Sequence, residues 1–116
     1  MQLYWIKCQG EVWCQLDTVN LAHSHFDGME GVYIIWHGGA KPATVYVGQG
    51  SIRKRLTFHR TNPKIQPYRA LGLYVTWARV ASQDQNGVER FLSEKLKPLV
   101  GEEFPDVNPI EVNLPW

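Results

Sequence analysis

At 116 residues the chain is long enough for one hydrophobic core and too short for two independent domains. Hydrophobic residues make up 44% and charged residues 20%, the balance of a globular chain, which sets aside disorder; no apolar run approaches the roughly 20 residues of a membrane-spanning helix. A formal net charge of +1 excludes a wholly basic nucleic-acid binder, so any polyanion partner has to be met by a local patch.

Leu3 to Lys7 and Glu11 to Gln15, on either side of Cys8-Gln9-Gly10, predict a short hairpin rich in Trp and Tyr. Cys8 and Cys14 are too few for a disulfide framework and match no common zinc spacing. The N-terminus lacks the charged-then-apolar pattern of a leader, and the expectation is a cytoplasmic protein with no membrane partner. In that compartment the two cysteines are expected as reduced, buried thiols, with a bridge between paired strands as the geometric alternative. Leu16 to Phe26 has no clear period and reads as a turn of helix with a loop. Within it, His23-Ser24-His25 can set two imidazoles on one face, but no third metal ligand accompanies them.

Gly31 to Trp36 predicts a strand, every residue from Val32 onward being a strand former, and His37-Gly38-Gly39 and Pro42 end it. Thr44 to Val47 predicts the next strand, joined by so short a connection that the two pair antiparallel. Tyr33 and Tyr46 then share a face only in a register that sets them opposite or diagonal. Gly48 and Gly50 are expected to end this strand and open a helix, Ser51 to Arg60, with Ser51 as N-cap. On that helix Ile52, Arg55, Leu56 and His59 form one stripe.

Thr61 to Leu71 reads as a basic loop, and Leu73 to Val80, apolar almost throughout, as a third and central strand. Asn86 to Leu96 predicts a second helix whose buried stripe is Val88, Phe91, Leu92 and Leu96, with Glu89 at its edge. Asn86-x-x-Glu89 also reads as a capping box, a role that competes for the same carboxylate. Pro98 ends the helix, and residues 99–116 predict an extended tail anchored by Phe104, Ile110 and Trp116. The expected architecture is a single α/β (α+β) domain over 1–116. Its parts are an N-terminal extension 1–30 with the hairpin, a core 31–98 with a small three-stranded antiparallel sheet flanked by helices, and the tail.

Charge is unevenly placed along this plan. From Gly31 to Gln83 there is no acid, whereas Arg53, Lys54, Arg55, Arg60, Lys64 and Arg69 all fall there. A basic middle between acidic flanks is the pattern of a polyanion-binding face in a near-neutral protein. Hydrolysis of a phosphodiester needs an activated water, charge to meet the extra negative charge on the phosphorus oxygens and, usually, a metal ion. Glu89 is an oxygen ligand for Mg2+ or Mn2+, and Arg55 is permanently charged and shaped for phosphate. Tyr33 and Tyr46 can orient or deprotonate water, and His59 can bind phosphate, shuttle a proton or hold a tyrosine hydroxyl.

In order and spacing these residues resemble the GIY-YIG endonuclease family. Gly31-Val32-Tyr33 and Tyr46-Val47-Gly48 match its two tripeptides, Arg55 its helical arginine, His59 the position four further on, and Glu89, nine residues before Pro98, its glutamate. The match runs from Gly31 to about Pro98. The resemblance implies a metal-dependent endonuclease that hydrolyses phosphodiester bonds in DNA. Catalysis would fall to Tyr33, Tyr46, Arg55, His59 and Glu89, and the backbone would lie along Gly48, Arg53, Lys54, Arg60, Lys64 and Arg69. Ser93 stands where the family prefers Ile, and Gln49 where many members carry a lysine. Gly101 stands where an asparagine is common, so Asn113, ahead of Asn108, is the expected substitute. Branched or damaged DNA is one substrate class this allows, and a partner protein is another source of targeting. The alternatives are a nucleic-acid-binding module that has lost cleavage and a protein-interaction domain with an incidental basic face.

Overall fold

The computed structural model describes residues 1–101 and 104–116. Four strands, β1 (Cys14–Gln15), β2 (Glu30–His37), β3 (Ala43–Ser51) and β4 (Leu73–Arg79), form one antiparallel sheet in the order β1-β4-β2-β3. Helices α1 (Ile52–His59) and α2 (Ser82–Leu96) complete the α/β architecture, with short 3₁₀ segments at Ser24–Phe26 and Gln66–Leu71. The expected three-stranded sheet is therefore present as β3-β2-β4, with β1 added along the outer edge of β4.

The two central strands are buried on both faces, which is why their sequences run apolar instead of alternating. On one face Tyr33, Ile35, Val75 and Trp77 pack under Ile52 and Leu56 of α1. On the other, Val32, Ile34, Val47 and Ala78 pack under Val88 and Leu92 of α2, joined by Leu3 and Val112 from the two ends of the chain. Gly31 is dictated by the sheet itself: a Cβ there would lie 1.9 Å from the Ala78 carbonyl oxygen, which no rearrangement short of moving the strands relieves.

Several expectations are corrected. The N-terminal hairpin closes only at its turn, where Cys8 N–H donates to Val12 O at 2.8 Å; its arms diverge to dock separately, Ile6 N–H on Trp77 O and β1 on β4. Cys8 and Cys14 are joined in a disulfide, not held as free thiols; left-handed backbone at Gly10 and Glu11 folds the chain back until the two Cα atoms stand 5.1 Å apart. Strand β3 continues through Gly48 and Gly50 to Ser51, because both glycines pair with β2, Gly48 opposite Tyr33 and Gly50 opposite Gly31. Ser51 caps α1 as expected, its hydroxyl accepting from Lys54 N–H.

Helix α2 starts four residues before the expected Asn86. The polar run Ser82 to Gln85 is helical because Gln85 turns inward and donates to Val80 O at 3.0 Å. Asn86 is thus inside the helix, no capping box exists, and Glu89 is free of it. In the tail the buried anchor is Val112; Ile110 packs on α2 through Gly87, Trp116 meets two other tryptophans, and Phe104 is only half-buried. Residues 102 and 103 of the expected tail lie outside the described residues. No helix among the described residues is long and apolar enough to cross a membrane.

Candidate active site

Strands β2 and β3 carry the two tyrosines. Their register pairs Ile35 with Tyr46 and Tyr33 with Gly48, so the tyrosines sit diagonally on one face and their rings stack, 6.1 Å apart and 16° from parallel. Gly48 makes this possible. A Cβ at that position would lie 2.3 Å from the Tyr33 hydroxyl oxygen, so the missing side chain is the slot into which the phenol extends.

Above this face runs α1, with its stripe Ile52, Leu56 and His59 fully buried and Arg55 at the border. The His59 ring lies 4.5 Å from that of Tyr46, and its Nε2 is 2.6 Å from the Tyr33 hydroxyl. Its Nδ1 faces the Asn62 side-chain amide nitrogen at 3.2 Å. The orientation of that amide follows from its other end, where Asn62 Oδ1 accepts from Lys64 N–H at 3.0 Å. Asn62 therefore donates to Nδ1, the imidazole proton sits on Nε2, and Nε2 donates to Tyr33. Arg55 Nε also donates to the Tyr33 oxygen, at 3.4 Å. With both lone pairs engaged, the Tyr33 oxygen has only its own proton left to offer.

Burial sets the protonation states. Desolvation pushes the Tyr33 hydroxyl far above its ordinary value, against the lowering effect of Arg55, so it is a neutral phenol at neutral pH. Burial, with the Arg55 charge second, lowers His59 to about 4, so the imidazole is neutral as well. The hydrogen bond to Tyr33 raises the Arg55 guanidinium above its ordinary value, outweighing its partial burial, so it stays charged.

Glu89 reaches the same place from the opposite face of the sheet. It stands on α2, which packs on the other core and against β3, and its carboxyl is near enough to feel Gln49 and Arg55. Burial raises its carboxyl above the ordinary value, opposed by the Gln49 amide and by the charge of Arg55. Among the described residues neither Arg55 nor Glu89 makes an ion pair. The two opposite charges flank Tyr33 without neutralising each other by contact.

A groove of about 720 Å³ opens beside this cluster, lined by Tyr46, Phe58, Asn62, Lys64, Leu99 and Gly101. Tyr46, half-buried, faces it, whereas Tyr33 lies wholly inside. Among the described residues no group of three or more His, Cys, Asp or Glu is placed to hold a metal. The donor set fits no all-protein cage. A single carboxylate, Glu89, is the kind of ligand that a Mg2+ or Mn2+ ion keeping most of its waters takes. His23 and His25 are committed elsewhere: His23 Nδ1 accepts from His25 N–H and His25 Nε2 from Trp77 Nε1.

Of the expected site, then, Tyr33, Tyr46, Arg55, His59 and Glu89 come together and Gly48 shapes it. Asn113 does not. Its side-chain amide is used at both ends on the Leu3 backbone, 2.6 Å to N–H and 3.0 Å to the carbonyl, clamping the N-terminal segment. The basic run also divides. Arg53 donates to Leu21 O, His23 O and Asp27, Arg60 to Leu16 O and Val19 O, and Arg69 to Asp17 and Arg60 O. These three arginines staple the irregular segment 16–27 to the domain, because its carbonyls have no sheet partner. Lys54 and Lys64 remain exposed. Asn62, three residues after His59, is the site residue that the sequence reading missed, and i, i+3 spacing from a candidate histidine was the available signal. At Gly101 a Cβ would stand 3.6 Å from the Tyr46 ring.

Compared with family models, with curated proteins and with solved structures, the chain matches none.

Proposed function

We propose that this protein is a metal-dependent endonuclease of the GIY-YIG kind, hydrolysing phosphodiester bonds in DNA. The observation that carries the reading is the convergence of Tyr33, Tyr46, Arg55 and His59 from β2, β3 and α1 with Glu89 facing them from α2. The two phenols also serve packing, but placing a permanent cation and a partly buried carboxylate beside them, without an ion pair, has a cost that packing alone does not require.

In this reading a DNA phosphate lies against Arg55 and Glu89, beside the groove that Tyr46 lines. Water attacks phosphorus and gives its proton to solvent, a new P–O bond forms, and the opposite ester bond breaks. The leaving oxygen takes a proton from solvent and departs as a hydroxyl. Arg55 meets the negative charge that grows on the non-bridging oxygens. Tyr46, which faces the groove, orients the attacking water. Tyr33, neutral, buried and held by His59 and Arg55, fixes the position of the Arg55 side chain and does not act as a base. When bound at Glu89, Mg2+ or Mn2+ supplies Lewis acidity toward the phosphate oxygens and makes a bound water more acidic. Lys54 and Lys64 are the basic residues left to track the backbone. We place the protein in the cytoplasm, where its substrate would be; the Cys8–Cys14 bridge argues the other way, since such bonds persist in oxidising compartments. Specificity for branched or damaged DNA, or a targeting partner, would have to be added to this small domain.

The test is nicking of supercoiled plasmid by purified protein with Mg2+ or Mn2+ and with chelator. Expected is metal-dependent cutting that Glu89→Gln and Arg55→Ala each abolish; cutting that survives both substitutions would falsify the assignment. A second reading, a binding module without cleavage, is favoured by one observation: Gly101 and the committed Asn113 leave the groove without the usual asparagine. Salt-sensitive binding with no cutting under any metal would select it.

A further inference from the structure

We propose that a second groove, at the Ala43 end of β3, is a stacking site for an unpaired nucleobase. The proposal rests on the nuclease reading and extends it to the class of substrate. Trp13, Trp36 and Trp116 come from the N-terminal extension, β2 and the last position of the chain, and they meet on one surface. Their ring centroids stand 4.9 Å (Trp36–Trp116), 5.4 Å (Trp13–Trp36) and 6.2 Å (Trp13–Trp116) apart, all steeply inclined to one another. They line a groove of about 580 Å³ together with Thr44, Lys95 and Lys97, a volume within the usual range of ligand sites. Trp116 is 57% exposed, so its ring is open to a ligand.

Charge selects the occupant. Lys95 and Lys97 border the groove, Lys7 Nζ lies 4.7 Å over the Trp13 ring, and no acid lines it among the described residues. None of these lysines makes an ion pair among those residues. Aromatic faces beside uncompensated cations fit a ligand with a flat ring and an anionic backbone, which is a single-stranded nucleotide. A base inside a duplex cannot present its face, so the site calls for an unpaired one.

Position agrees with chemistry. Residues 97–101 run along the edge of β3, with Leu99 N–H on Thr44 O at 3.0 Å and Val100 N–H on Val45 O at 2.9 Å. Thr44 lines the tryptophan groove and Tyr46 the catalytic one, two residues further along the same strand, about 7 Å. A strand stacked at Trp116 and crossing this edge would pass toward the groove that Tyr46 lines.

The experiment measures binding of a fluorescein-labelled oligo-dT single strand to the full chain carrying Glu89→Gln, without metal, across a salt series. Trp116→Ala should weaken binding about tenfold. An abasic strand with the same phosphates should bind the parent at that weakened level. Lys97→Gly suits the left-handed backbone already present at Lys97 and should lower the slope of log affinity against log salt by about 0.7. Equal affinity of the Trp116 variant, equal binding of the abasic strand, or preference for an uncharged oligoproline peptide would overturn the proposal. Plasmid nicking is followed in parallel with the unsubstituted chain. Nicking together with Trp116-independent binding sinks the stacking site alone, whereas Trp116-dependent binding without nicking upholds it and removes the nuclease reading. Absence of both removes both.

Discussion

Tyr33 and His59 share a 2.6 Å hydrogen bond that neither side chain leaves exposed to solvent. The direction of that bond is set by a third residue, since Asn62 donates to the far nitrogen of the ring. Substituting Tyr33→Phe leaves the Nε2–H of His59 buried without a partner, and the cost should be about 1–3 kcal/mol in urea unfolding, together with loss of cutting. A variant as stable as the parent would show that the bond contributes nothing.

Asn62→Asp replaces the donor to Nδ1 with an acceptor. The imidazole proton should then move to Nδ1, and Tyr33 should turn its own proton toward Nε2 and away from the groove. Nitrogen-15 chemical shifts of His59 report the tautomer directly, and cutting should fall with the change. An unaltered tautomer would remove Asn62 from its positioning role.

The dependence of stability on pH follows from the same burial. His59 is lowered to about 4 in the folded chain, so below an unfolded value of about 6.5 the unfolded state binds the extra proton. Stability should therefore fall as pH drops from about 6.5 toward 4, by on the order of 3 kcal/mol for this group. Glu89 has the opposite sign: its carboxyl is raised, so the stability it contributes is present in acid and lost as pH rises through the folded value. Urea titrations at several pH values should show a flatter profile for His59→Gln and, near neutrality, a more stable protein for Glu89→Gln.

Gly48→Ala places a methyl 2.3 Å from the Tyr33 hydroxyl. Either the phenol leaves its slot or β3 moves, and the expected cost is about 1–3 kcal/mol with loss of the His59 hydrogen bond. A crystal structure of the variant with Tyr33 unmoved would contradict this.

Arg60 and Lys64, four residues apart in a basic run, should behave as different kinds of residue. Arg60→Ala strips donors from Leu16 O and Val19 O and should destabilise the fold by about 1–3 kcal/mol while leaving the salt dependence of DNA binding unchanged. Lys64→Ala should alter stability by less than about 0.5 kcal/mol and reduce the salt slope by about 0.9 for duplex DNA. Thermal melts and binding isotherms on the two variants separate these outcomes.

Local pattern carries the strands, the helices and the identity of most of the site. Val32 to Trp36 can hardly be other than a strand, and Ile52, Arg55, Leu56 and His59 share a face in any helix, because both follow from backbone periodicity. Hydrogen-bond partners are another matter. Arg53, Arg60 and Arg69 look alike in a list of residues, yet all three are held by carbonyls or acids of segment 16–27, 26 to 52 positions away. Asn113 likewise meets Leu3 across nearly the whole chain. Side chains that satisfy distant backbone groups leave no periodic trace.

Composition and spacing thus established an antiparallel sheet with two helices and nominated a histidine, an arginine, a glutamate and two tyrosines. Tertiary structure alone decided that Cys8 bonds Cys14, that Asn62 orients His59, that Glu89 escapes its cap, and that three tryptophans gather beside β3. The division is physical. Periodicity is a property of neighbours along the chain, whereas a ring tautomer, a disulfide or a groove depends on which distant segments the packed cores bring into contact.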